Sequence, residues 1–77
     1  MTDKEYLKQL GAKIVALRKA KGLTQLELAN RLGMFNTPVR RIERGTVNST
    51  INMLRKVAAV LEIPVEELVK IEGRKKK

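Results

Sequence analysis

The sequence predicts an all-α domain of five helices, and three observations carry that prediction. The hydrophobic fraction is 43% but the aromatic fraction only 3%, so Leu, Ile, Val and Ala must build the core. That suits a helical bundle better than a β-sandwich. Apolar residues recur at steps of three and four, and no strand pattern survives. Thr2-Asp3-Lys4-Glu5 and Thr24-Gln25-Leu26-Glu27 both have capping-box spacing, a hydroxyl at the cap and a carboxylate three residues on. The length, 77 residues, allows one small domain.

The first helix is expected over about 3–21, with Leu7, Leu10, Ile14 and Leu17 on one face and Lys19, Lys21 and Gly22 closing it. Gly11 lies inside it. A mid-helix glycine costs about 1 kcal/mol against alanine, so close approach of a neighbour is the reason to expect there. The second helix is expected over about 24–31, with Leu28, Ala29 and Leu32 inward and Gly33 as its stop. Val39 and Ile42, three apart, allow a third helix over 37–44 that ends at Gly45. Ser49 is expected to cap a fourth over 50–61, with the stripe Ile51, Leu54, Val57, Ala58 and Leu61. Pro64 is expected to start a fifth over 64–71, with Glu66 and Glu67 in its first turn.

Charge narrows the class of partner. The net charge is +9 with a pI of about 10.4. Residues 71–77 carry four cations against one acid, so removing them takes three units and leaves +6. A small, strongly basic domain points to nucleic acid, although lysine also serves as a solubiliser. There is no cysteine, so neither a disulfide nor a thiolate–metal site is expected. With no histidine and Asp3 as the only aspartate, nothing gathers an acid, a base and a nucleophile, and neither an enzyme nor a cofactor or metal is expected. No apolar run is long enough to span a membrane, and the polar start MTDKEYLK is unlike a signal peptide, so a cytoplasmic protein is expected. Residues 1–72 are assigned to the domain and 73–77 to a disordered basic tail. Ile71-Glu72-Gly73-Arg74 also matches a protease site used in recombinant expression.

The stretch Met34 to Gly45, MFNTPVRRIERG, concentrates the chemistry. Arg40, Arg41 and Arg44 fall within five positions. On their own they could be a solvated helix face. The second and third helices are short and joined by the tight turn Leu32-Gly33-Met34, which is the helix-turn-helix arrangement, about 24–44.

With these residues in place the sequence resembles the Cro/repressor type of prokaryotic helix-turn-helix domain, the xenobiotic-response-element-like family. The matching residues are Leu17-Arg18, Lys21-Gly22-Leu23-Thr24-Gln25, Leu28-Ala29, Leu32-Gly33-Met34, Val39, Ile42-Glu43-Arg44-Gly45 and Leu61-Glu62-Ile63-Pro64, covering about residues 10–70. The resemblance implies a five-helix lambda-repressor-like fold and a bacterial or phage-encoded regulator that binds double-stranded DNA. The third helix would enter the major groove. It implies that Asn36, Thr37, Arg40 and Arg41 read bases, with Arg40 or Arg41 alternatively touching phosphate. Gln25, Arg44, Thr46, Asn48 and Ser49 would contact phosphate, or in the case of Gln25 support a base-reading side chain. Arg18 and Glu43 would form an ion pair between the first and third helices.

The sequence departs from the family pattern at the start of the third helix. The family has Ser or Thr at position 35, but Phe35 stands here and Pro38 follows. The expectation is that the cap moves inward, to Asn36 or Thr37. Phe35 has three readings: contact with a thymine methyl, contact with a partner protein, or a fold back onto the core. Val65, Leu68, Val69 and Ile71 are candidates for a homodimer face, and some of them must be core. The leading expectation is a repressor acting as a homodimer on a palindromic operator. The alternatives are the antitoxin of a toxin–antitoxin pair, with a toxin as protein partner, and a restriction–modification controller.

Overall fold

The computed structural model describes residues 2–71, so the tail at 73–77 and most of the Ile71–Arg74 stretch lie outside the described residues. The described chain forms five helices: α1 Asp3–Ala20, α2 Gln25–Leu32, α3 Asn36–Arg44, α4 Ile51–Leu61 and α5 Val65–Val69. Among the described residues there is no strand. α1 packs against α3 and α5, α2 against α3 and α4, and α4 against α5. Ile14, Leu28, Val57 and Leu68 are the largest fully buried side chains and come from four different helices. Each contributes about 1.5–3 kcal/mol of burial energy.

Local signals set the first two helices. Both capping boxes form: the Glu5 amide donates to Thr2 Oγ1 at 3.1 Å, and the Glu27 amide to Thr24 Oγ1 at 3.0 Å. In return the Thr2 and Thr24 amides donate to the carboxylates of Glu5 and Glu27 at 2.8 and 2.7 Å. Gly11 faces α3. A Cβ there would lie 2.7 Å from the Ile42 carbonyl oxygen and closer still to that of Glu43, so only glycine lets the two helices approach this far.

Four expectations are corrected. First, α3 begins at Asn36 with Phe35 at its cap position, and Phe35 makes no side-chain cap bond. Neither Asn36 nor Thr37 caps. Pro38 is tolerated as the third helical residue because the first four amides of a helix have no partner within it. Second, Thr50 rather than Ser49 caps α4, accepting from the Met53 amide at 3.1 Å. Third, Ile51 is exposed, so the stripe of α4 starts at Leu54. Periodicity gives Ile51 a direction but supplies nothing to cover it. Fourth, α5 is shorter than expected, with Pro64 as its cap and Lys70 already extended. α1 takes over at its end: Tyr6 Oη donates to the Val69 carbonyl at 2.6 Å, and Lys13 Nζ to the carbonyls of Glu67 and Lys70.

Three surface carboxylates contribute to the acid response. The Thr2 amide and hydroxyl hold Glu5 below the usual carboxylate range, those of Thr24 do the same for Glu27, and the hydrogen bond and charge of Lys21 for Glu62. A depressed carboxylate binds fewer protons folded than unfolded, so its contribution is complete above the ordinary glutamate value of about 4.3 and is lost as pH falls through the folded value. Thermal melts are therefore expected to show Tm falling in acid. The triple change Glu5→Gln, Glu27→Gln and Glu62→Gln should flatten that fall, since glutamine keeps an acceptor oxygen and cannot titrate. An unchanged pH profile would contradict this assignment.

Candidate nucleic-acid interface

α2 and α3 pack against each other across a tight turn. Gly33 adopts a left-handed conformation, φ 71°, which glycine enters without strain. Its amide donates to Asn30 O at 3.1 Å, and the next amide, Met34, to Ala29 O at 3.0 Å. These bonds close α2 and redirect the chain into α3.

The two sides of α3 differ sharply. Val39, Ile42 and Glu43 are buried, whereas Thr37, Arg40, Arg41 and Arg44 are exposed. Among the described residues, none of the three arginines forms an ion pair. The only acid on the helix is Glu43, and it is engaged inward. Arg18 Nε donates to Glu43 Oε2 at 2.8 Å and Arg18 Nη2 to Oε1 at 3.2 Å. Arg18 Nη1 satisfies the Leu23 carbonyl at 2.9 Å, and Gln25 Nε2 donates to Glu43 Oε1 at 2.9 Å. One carboxylate thus ties α1, α2 and α3 together and leaves the outer face of α3 wholly cationic.

The structure brings Thr37, Arg40, Arg41 and Arg44 to this one face. Asn36 behaves differently: it is half-buried, and its Oδ1 is covered and without a hydrogen-bond partner. A bidentate grip on adenine needs that oxygen turned outward. Gln25 is half-buried and its amide nitrogen is committed to Glu43. Thr46 follows the end of α3, and both its amide and its hydroxyl donate to the Arg41 carbonyl, at 3.1 and 3.2 Å. Asn48 is exposed and Ser49 half-buried, and with Thr50 they border an open groove whose other wall includes Arg41. Phe35 is 84% exposed and does not fold back onto the core.

The apolar candidates on α5 divide. Leu68 is fully buried, so it is core and not a dimer face. Val65, Val69 and Ile71 are half-buried against the core and keep part of their surface outside. Sequence reasoning missed the Leu23 carbonyl as an acceptor for Arg18, because a backbone oxygen leaves no trace in a side-chain pattern. It also gave no sign of the Tyr6 and Lys13 bonds to α5. Among the described residues no cluster of acidic, His or Cys side chains could hold a metal ion, and no helix is long and apolar enough to cross a membrane.

Two short helices joined by a tight glycine turn, the second basic on its outer side, define the helix-turn-helix class, and comparison with known proteins agrees. A family model described as helix-turn-helix matches residues 14–68, and the chain belongs to this family, of the Cro/repressor type. It is 38% identical over 61 residues to the transcriptional regulator SinR of Bacillus subtilis, covering 78% of this chain and 55% of SinR. It is 35% identical over 60 residues to the immunity repressor protein of Bacillus phage phi105, covering 78% of this chain and 42% of that repressor. The chain thus spans about half the length of these curated relatives. Among solved structures it resembles the restriction–modification controller protein C.AhdI from Aeromonas hydrophila, with TM-score 0.82, 34% identity and 88% and 99% of the two chains covered. It also resembles SinR in complex with DNA, with TM-score 0.75, 37% identity and 79% and 98% covered.

Proposed function

We propose that this chain is a sequence-specific regulator of transcription, a repressor that binds double-stranded DNA as a homodimer on a palindromic operator. The observation that carries this reading is the divided α3, anchored inward by Val39, Ile42 and Glu43 and free outward at Thr37, Arg40, Arg41 and Arg44. Such a helix fits the major groove with its N-terminal part toward the base edges. Arg40 and Arg41 then read bases, arginine pairing bidentately with guanine. Arg44, at the far end, and Asn48 and Ser49 beyond it contact phosphate and set the register. Gln25 supports the face through Glu43. Val65, Val69 and Ile71 supply the apolar surface for a second copy. The protein acts by binding rather than catalysis, in the cytoplasm on the nucleoid.

The test is selection of bound duplexes from a random DNA library at physiological salt. A palindrome with half-sites about one helical turn apart is expected. Binding without an enriched motif would leave only non-specific affinity and sink the reading. On the selected operator, Arg41→Ala should relax preference at one base position, at a cost of about 1–3 kcal/mol against the correct base. Arg44→Ala should weaken all sequences alike and reduce the salt slope by about 0.9. Equal, uniform losses for both variants would contradict the assigned roles.

A second reading, a restriction–modification controller, is favoured by the near-complete coverage of C.AhdI. Neighbouring genes for a nuclease and a methyltransferase would support it, whereas a neighbouring toxin gene would point to an antitoxin.

A further inference from the structure

Resting on the DNA-binding reading above, we propose that Phe35 is a specificity-determining residue that recognises the C5 methyl group of a thymine in the major groove. Three observations converge on the ring. It is a large apolar side chain, 84% exposed, and it is absent from the hydrophobic core. It gives no local benefit, since it occupies the cap position of α3 without making a cap bond, where Ser, Thr, Asp or Asn would satisfy an amide. Neither burial nor capping accounts for phenylalanine here.

Its location supplies the third observation. Phe35 directly precedes α3, at the end that a recognition helix directs toward base edges. Gly33 in the neighbouring turn adds no bulk: it has no side chain, and a Cβ built there would meet nothing within 4 Å. The ring, Gly33, Met34 and Asn30 border a shallow open groove. In the major groove the thymine methyl is the one bulky apolar group; apart from the small C5–H of cytosine, the other base-edge features are hydrogen-bond donors or acceptors. A phenyl ring can neither donate to nor accept from the others. The methyl is therefore the feature that the ring can bury at a profit, and desolvating it favours thymine over cytosine and over unmethylated uracil.

The experiment uses the full chain and its selected operator. Each thymine in turn is replaced by deoxyuridine, which removes only the methyl, and affinity is measured for the wild type, Phe35→Ala and Phe35→Ser. For the wild type, one thymine per half-site should show a loss of about fourfold, the size expected for one buried methyl-sized group. That loss should vanish at the same position in both variants, the signature of a coupled pair. Phe35→Ser should also melt higher than the wild type because it restores the cap. A purely structural role for Phe35 would instead lower both affinity and Tm without erasing a methyl effect. Identical uridine profiles in wild type and variants would overturn the proposal, as would a Phe35→Ala variant that keeps its profile but loses self-association. Failure of the library to enrich any sequence would remove the DNA-binding reading itself and this inference with it, an outcome distinguishable from intact binding with no methyl effect.

Discussion

Glu43→Ala is expected to destabilise the fold by about 3–5 kcal/mol, because it leaves the Arg18 guanidinium buried without its carboxylate. Arg18 donates two bonds to that carboxylate, at 2.8 and 3.2 Å, and Gln25 a third at 2.9 Å. Removing Glu43 therefore orphans donors from two helices at once. A domain of this size has only about 0.05–0.15 kcal/mol of stability per residue, so the loss consumes much of the total. Arg18→Ala should cost a similar amount, and the double variant much less than the sum, since neither charge is then stranded. Replacing both partners by Met or Leu should recover most of the stability. Chemical denaturation of the wild type and these variants checks this. Additive losses would mean that the pair is not coupled.

Gly11→Ala is the second large effect. Alanine is intrinsically better in a helix by about 1 kcal/mol, so propensity alone predicts stabilisation. The structure predicts the opposite sign. The new Cβ would meet backbone carbonyls of α3, which cannot rotate aside as a side chain would. Overpacking of this kind costs typically 1–3 kcal/mol and sometimes more, enough to lower Tm by roughly 10 °C or more in a small domain. A rise in Tm would show that α1 and α3 do not pack this closely. On the proposed DNA-binding reading, affinity should fall along with stability, because this close approach seats α3 against α1.

The parts of the fold that sequence reveals are those determined within a few residues. The boxes at Thr2 and Thr24 are readable because donor and acceptor lie three positions apart and need no tertiary partner. The stripe Leu10, Ile14 and the pair Val39, Ile42 are readable because helical spacing alone assigns them one side. What escapes is decided between elements. Ser49 and Thr50 are chemically equivalent caps, and only the path of the loop selects Thr50. The cap of α3 is placed at Phe35 by the backbone leaving the Gly33 turn, and the local preference for a polar residue is overridden. α5 stops early while Tyr6 and Lys13, more than fifty positions away, bond the carbonyls at its end. Leu68 and Val69 share one apolar run, and only packing separates core from surface.

The candidate site is legible to a similar depth. The run of arginines is read directly from the sequence, and the Arg18–Glu43 pairing from the family resemblance. The inward oxygen of Asn36 and the commitment of Gln25 to Glu43 depend on rotamers and distances that no linear pattern encodes.

The alternation of anchoring and outward positions along α3 has an evolutionary consequence. Val39, Ile42 and Glu43 moor the helix, and the outward positions around them, 37, 40, 41 and 44, share none of those moorings. On the proposed reading, mutations at these outward positions would therefore rewrite which address is recognised while leaving the anchoring side chains in place. On that reading a lineage carrying this domain could change its target sites through successive folded intermediates, and a library randomised at those four positions should yield mostly folded proteins with new preferences.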